Sequence, residues 1–136
     1  MKKITVLGVC IVMLALFASC GSSKQPYIEP IDKVFEAYNS NDISYLKEAV
    51  TDDLFNTWNQ GPVVNEVNKD SYTVQSEQHV EGDDLSLYEA LYNATDCYKV
   101  TIKESEYVPD DDSYEENVYT VVVCKIDDNW KIAEFE

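Results

Sequence analysis

The sequence is poor in basic residues, glycine and proline. Its 136 residues include 10 Lys+Arg against 26 Asp+Glu, which leaves a formal net charge of −16. A surface of this sign repels phosphate backbones, so it argues against nucleic acid as a partner, and it also excludes a basic patch as the means of binding anionic lipids. Glycine and proline number four each, while apolar residues make up 45%. This composition is typical of a folded globular domain and excludes collagen-like repeats and intrinsic disorder.

Residue types that carry chemistry are equally scarce. There is one histidine, His79, within a predicted strand, and because no Cys/His cluster accompanies it, we expect a surface histidine rather than a zinc ligand. The sequence has no glycine-rich phosphate loop and no Ser–His or Cys–His nucleophile pattern. It therefore predicts no catalytic residue, no metal and no cofactor.

The longest apolar run stands at the N-terminus. Lys2 and Lys3 precede apolar residues 4–18. A run of about 15 residues suits the hydrophobic region of a signal peptide but is shorter than the ~20 residues that a membrane-spanning helix needs. Small residues then lead to Cys20. We therefore expect residues 1–19 to be a removable leader.

Residues 16–21, Leu-Phe-Ala-Ser-Cys-Gly, resemble the end of a bacterial lipoprotein signal peptide. The resemblance implies that the thiol of Cys20 is acylated, that cleavage occurs just before it, and that the lipid holds the chain at the extracytoplasmic face of the cell membrane. Residues 20–28 would then be the lipidated cysteine and a flexible tether. Two alternatives stay open: an ordinary secretory leader, with Cys20 left as a free thiol, and a retained membrane anchor.

Export would permit a disulfide between the two remaining cysteines, Cys97 and Cys124. Both lie in predicted strands, and they face each other in the antiparallel register that pairs residue 97 with residue 124. A slip of two residues would separate the sulfur atoms beyond bonding distance. We therefore favour two buried, unbonded thiols that act as small apolar side chains, with the disulfide as the alternative.

Apolar residues recur at helical spacing in the first half of the mature chain. Ile31, Val34 and Tyr38 predict a helix that opens at Pro30, where the missing N–H of proline needs no partner. Asn41 or Asp42 is a candidate cap for the next helix. Further helices are expected over 43–50, 54–58 and 85–94, and the Gly-Pro pair of 61–62 stops the segment that contains 54–58.

Alternating patterns mark the second half as β-structure. Strands are predicted over 72–80, 98–107, 118–126 and around Trp130. Residues 109–116 are expected to form a solvated acidic loop rather than a calcium site. Asp127, Asp128 and Asn129 are expected to form a three-residue hairpin loop, with Asn129 in the left-handed conformation. Helices followed by an antiparallel sheet indicate the α+β class.

Residues 34–55 and 119–135 are similar to the NTF2-like (cystatin-like) superfamily, which includes small bacterial lipoproteins. The resemblance implies that residues 29–136 form one domain in which a curved antiparallel sheet wraps the N-terminal helices and encloses a conical cavity. The residues expected to line that cavity are Phe35, Tyr38, Trp58, Tyr98, Val122 and Trp130.

Fold does not determine function, so two classes of function remain. The first is a non-catalytic binding module, tethered to the membrane through Cys20, for a small apolar ligand or a protein partner. The second is an isomerase- or lyase-like enzyme that uses a tyrosine and a carboxylate in the cone. A third, a purely structural envelope accessory protein, would have a filled cone. We favour the binding module, because the sequence shows no convergent catalytic set.

Overall fold

The computed structural model describes residues 24–58 and 69–136, which form four α-helices and four β-strands. The helices are α1 (Glu29–Ser40), α2 (Ile43–Ala49), α3 (Asp52–Trp58) and α4 (Gly82–Tyr92), with a 3₁₀ turn at Pro26–Ile28 before them. The strands are β1 (Ser71–His79), β2 (Asp96–Val108), β3 (Ser113–Ile126) and β4 (Asn129–Phe135). The predicted leader, Cys20 and the helix stop at 61–62 lie outside these residues. No helix in the two ranges is long and apolar enough to cross a membrane.

The strands form one antiparallel sheet in the order β1-β2-β3-β4. Helices α1–α3 precede the sheet along the chain, and α4 connects β1 to β2. The predicted α+β class is thereby confirmed. The sheet order equals the chain order because each strand pairs with its nearest neighbour in sequence, which keeps the connections short.

Both faces of the sheet are covered. Along β3, Val121 and Val123 pack with α1 and α2, whereas Val122 and Cys124 pack with Tyr88 of α4 on the opposite face. All four β3 side chains are at most 1% exposed. Successive side chains of a strand point to opposite faces, so covering both faces of the sheet explains why β3 is apolar at odd and at even positions.

Cys97 and Cys124 are paired directly across β2 and β3, with their Cα atoms 4.1 Å apart. Their sulfur atoms form a disulfide, and both residues are fully buried. The favoured interpretation of two unbonded thiols is therefore wrong. The ladder between β2 and β3 continues without a bulge from residue 96 to residue 108, so the two-residue slip that would separate the cysteines does not occur.

The turn between β3 and β4 has two residues instead of the expected three. Asp127 and Asp128 both have positive φ (48° and 63°), while Asn129 pairs with Ile126 as the first residue of β4. A two-residue hairpin whose central residues both have positive φ matches the right-handed twist of the strands. Aspartate tolerates this conformation, and Asn129 does not adopt it because it is already paired in β4.

The turn between β2 and β3 is also tighter than expected. Residues 109–116 were predicted to be a loop, but β3 begins at Ser113. Tyr107 faces Tyr114 across the two strands, with ring centroids 5.4 Å apart, and the Tyr107 hydroxyl donates to the Asp112 carboxylate (2.7 Å). Cross-strand aromatic pairs stabilise antiparallel strands, so the ladder extends into the acidic segment.

The folded domain begins before residue 29. Residues 20–28 were predicted to be a tether, but Tyr27 and Ile28 are only 8% and 3% exposed and belong to the core. Pro26 opens the 3₁₀ turn that carries them, since its ring fixes φ near the value that the turn requires. The predicted tether can therefore extend no further than Gln25.

The end of α1 is joined to the start of β1 by a side-chain clamp. The Asn39 amide donates to the backbone carbonyl of Asp70 and accepts from its N–H, both at 2.8 Å. The Asp70 carboxylate in turn accepts the backbone N–H of Tyr107 in β2 (2.9 Å). These bonds fix Asp70 and its carboxylate between α1 and the sheet.

Candidate functional site

The six residues predicted to line a cavity do not share one site. Val122 is buried beneath α4 on the far face of the sheet, so the prediction is wrong for this residue. Tyr38 is 43% exposed and lies near Glu104 and Asp70. Val122 fails because the strand alternation places it opposite Val121 and Val123. The remaining four pack on the face that α1–α3 cover: Phe35, Trp58, Tyr98 and Trp130.

Aromatic side chains on this face contact one another. The rings of Tyr27 and Tyr98 stack with centroids 3.9 Å apart, and Trp130 packs edge-on against them at 5.7 and 5.9 Å. Further along, Phe35 packs against Tyr72 at 4.7 Å. Stacked and edge-to-face geometries of this kind are favourable aromatic contacts, so these side chains form part of the core.

At the opposite end of the same face, aromatic residues lead to an acid. Trp58 packs edge-on against Phe135 at 5.5 Å, and Phe135 packs against Tyr119 at 5.1 Å. The carboxylate of Glu104 lies near the hydroxyl of Tyr119 and contributes to the raised pKa of that hydroxyl. This tyrosine–carboxylate pair is the arrangement that the enzyme hypothesis requires.

The pKa of Glu104 is shifted upwards, which is the direction that the enzyme hypothesis requires. Burial raises the pKa of the Glu104 carboxyl, the carboxylates of Glu106 and Asp70 raise it further, and the hydroxyl of Tyr119 acts the other way. Burial and the charges of Glu104 and Asp70 likewise raise the pKa of Tyr38. An acid with a raised pKa beside a tyrosine can hold a proton at a pH where a solvated glutamate would have lost it.

Glu104 was missed at the level of the sequence, whereas Tyr119 lies on an apolar stripe that predicts ordinary core packing. One signal would have found Glu104: it continues the inward parity of β2 set by Val100 and Ile102, both of which are fully buried. An acid on the buried parity of a strand is unusual. The signal was hidden because the chain has 26 acids, most of which lie in polar segments.

Tyrosine–carboxylate pairs recur throughout the structure. The hydroxyl of Tyr27 donates to Glu77 (2.9 Å), and burial together with this contact raises the pKa of Tyr27 to about 12. Burial and a carboxylate partner also raise the pKa values of Tyr72 and Tyr88. Three further pairs are Tyr72–Asp32 (2.6 Å), Tyr88–Glu134 (2.9 Å) and Tyr107–Asp112 (2.7 Å). Tyrosine thus supplies hydrogen-bond donors to carboxylates in a chain that has few cations, which explains its abundance.

His79 lies at the end of β1 between two carboxylates. Its Nε2 is 2.7 Å from Asp96 and its Nδ1 is 3.0 Å from Glu81, and its ring lies 5.0 Å from that of Tyr98. A neutral imidazole carries one N–H, so only the charged form donates to both carboxylates. The hydrogen bonds to Asp96 and Glu81 accordingly raise the pKa of His79.

We expect the contacts of His79 with Asp96 and Glu81 to make the stability of the fold depend on pH. Because the folded-state pKa of His79 exceeds the ordinary value of 6.5, the contact stabilises fully below pH 6.5 and is lost as the pH rises through the folded-state pKa. The unfolding free energy should therefore fall with pH above 6.5 more steeply in the parent chain than in His79→Gln. Urea denaturation at a series of pH values measures this difference, and NMR titration of the single histidine gives the pKa directly. A titration midpoint at or below 6.5 would refute the assignment.

Four clefts on the described part of the surface have volumes of about 320 to 420 Å³. Each is lined by carboxylates together with at least one lysine. The one with Trp130 in its wall, of about 420 Å³, lies between the start of α1 and the turn before β4. Within residues 24–58 and 69–136, no group of His, Cys, Asp or Glu is arranged to hold a metal ion. The polar clefts are thus suited to hydrogen-bonding partners.

No protein-family model, curated protein or solved structure matches this chain.

Proposed function

We propose that the chain is a lipid-anchored, extracytoplasmic, non-catalytic binding module with an NTF2-like domain, and that it binds its partner at its surface. The observation that carries this proposal is the mutual packing of the aromatic residues: Tyr27, Tyr98 and Trp130 contact one another at ring distances of 3.9 to 5.9 Å. Side chains in contact leave no room between them for a small apolar ligand. A protein partner is therefore favoured over an apolar ligand.

The charge distribution supports a surface partner. The four clefts carry acids and lysines, whereas sites for small apolar ligands are lined mainly by hydrophobic side chains. The meander sheet with α1 packed across one face supports the NTF2-like architecture. A lipid on Cys20 and a tether ending by Gln25 would hold this surface close to the membrane.

A second candidate function is an isomerase- or lyase-like enzyme, and the Glu104–Tyr119 pair is the observation that favours it. A carboxyl with a raised pKa can transfer a proton, and a tyrosine can donate to a developing oxyanion. However, burial and the charges of Glu104 and Glu106 raise the pKa of the Tyr119 hydroxyl, which makes it a weaker hydrogen-bond donor to an oxyanion. We therefore place this function second.

Two measurements on the full chain test the proposal. N-phenyl-1-naphthylamine, an apolar fluorophore, should show no saturable gain in emission when the protein is added, and amine-reactive cross-linking in intact cells should join the exposed lysines to a partner in one discrete adduct. Saturable uptake of the fluorophore would overturn the surface-binding proposal in favour of an apolar ligand. Cross-linking that gives only the monomer would overturn it in favour of a structural accessory protein.

A further inference from the structure

The cleft that contains Trp130 adjoins a second cleft, of about 410 Å³, and the two share Asn129 and Lys131 as lining residues. Both clefts open beside the Asp127–Asp128 turn, where β4 begins. Their volumes lie within the range of sites that hold small molecules. Because they share two lining residues, the clefts form one continuous surface around the start of β4.

The lining of the first cleft combines an aromatic wall with hydrogen-bonding groups of both kinds. Trp130 is supported from one side by the edge-to-face contacts with Tyr27 and Tyr98, and its indole N–H has no hydrogen-bond partner among residues 24–58 and 69–136. Lys33 lies in the same cleft with Glu29 and Glu48, at 3.3 and 3.5 Å. An aromatic face, free donors and carboxylate acceptors are therefore presented together.

The second cleft contributes a buried polar group that lacks a partner. The Thr51 hydroxyl is buried without a hydrogen bond within the part of the chain that the structure describes, and Thr51 lines this cleft beside Asp52 and Asp53. Lys131, shared by both clefts, makes no ion pair with any described residue. Buried polar groups without partners are uncommon in proteins, and here one lines a cleft next to an unpaired lysine.

From these features we propose that the two clefts form a binding site for a neutral oligosaccharide, with Trp130 as the surface on which one sugar ring packs. A pyranose has an apolar face that packs on an indole ring and hydroxyl groups that both donate and accept. Carboxylates accept from such hydroxyls, while Lys131, Asn129 and the Trp130 N–H donate to them. The proposal goes beyond the surface-binding function and does not depend on the lipid anchor.

Charge argues for a neutral ligand over an ion. The first cleft has three carboxylates and two lysines among its lining residues, so a ligand of either sign would be attracted by some of these groups and repelled by others. A hydroxylated neutral ligand uses groups of both signs without such repulsion. The presence of both lysines and carboxylates in the cleft therefore favours a ligand with many hydrogen-bonding groups over a ligand with a net charge.

The test uses the full chain in phosphocholine micelles and four trisaccharides: maltotriose, cellotriose, xylotriose and tri-N-acetylchitotriose. The chain has two tryptophans, so each indole N–H gives one NMR signal, and Trp58, far along the sheet face against Phe135, serves as the internal reference. We expect at least one trisaccharide, at about 20 mM, to shift the Trp130 signal saturably while the Trp58 signal stays in place, since this concentration detects millimolar affinity.

Variants separate the site from a general effect on folding. Trp130→Ala should abolish the sugar-dependent changes elsewhere in the spectrum, Lys131→Ala should weaken binding by roughly tenfold as the loss of one charged hydrogen-bond donor predicts, and Trp58→Ala should leave it intact. The proposal is overturned if none of the four sugars shifts Trp130, or if lysine hydrochloride at the same concentration shifts it equally. Neither outcome alters the fluorophore and cross-linking results, so failure of this site is distinguishable from failure of the proposed function.

Discussion

Replacement of both cysteines, Cys97→Ala with Cys124→Ala, is expected to lower the unfolding free energy by about 3.5 kcal/mol, because the bridge joins residues 27 apart in sequence and restricts the unfolded chain accordingly. That loss is a large share of the 5–15 kcal/mol by which a domain is stable. The bridge also lies near one end of the longest ladder in the sheet, that of β2 with β3, one pair in from Asp96 and Lys125. Urea denaturation of the parent and the double variant measures the difference as a shift in midpoint at unchanged slope.

Reductant provides the control for this experiment. Dithiothreitol should lower the midpoint of the parent chain to that of the double variant and should leave the double variant unchanged. Alkylation in denaturant without reductant should label neither cysteine in the parent. Labelling of both under these conditions, or equal midpoints for the two proteins, would show that the thiols are unbonded in solution, as the sequence alone had favoured.

Local signals in the sequence were sufficient where the determinant is itself local. Asp42 caps α2 by accepting the Ser44 N–H at 3.0 Å, as its position before an apolar stripe predicts. Asn41 closes α1 with a φ of 54°, a conformation that asparagine tolerates. The alternation along β2 and β3 likewise fixed which residues share a face, and hence that Cys97 and Cys124 lie on the same side.

Properties that depend on contacts distant in sequence could not be obtained in this way. Whether Val122 faces α1 or α4 depends on the side of the sheet on which α4 packs, and that choice is made by tertiary contacts of Tyr88 and the disulfide. The buried position of Tyr27 depends on stacking with Tyr98, 71 residues later in the chain. The pKa of Glu104 is raised by burial, by Glu106 and by Asp70, and Asp70 is held in place by Asn39 and β2.

The second large effect is expected at the anchor. Cys20→Ala should abolish incorporation of radiolabelled palmitate and move the leader-free chain from the membrane fraction to the soluble fraction. Each buried methylene of a lipid chain contributes about 0.8 kcal/mol to membrane binding, so removal of the acyl groups eliminates the free energy that holds the domain at the membrane. With a net charge of −16, the domain has no compensating attraction to anionic lipids, and we expect release to be nearly complete.

Cys10→Ala is the matched control, since Cys10 lies inside the predicted leader and would be removed with it. This variant should incorporate palmitate and remain with the membrane as the parent does. The leader-free form must be scored separately by its lower mass, because an uncleaved apolar leader would itself retain the chain. Palmitate in Cys20→Ala, or membrane retention of its leader-free form, would contradict acylation at this residue and would require a different means of attachment for a domain this acidic.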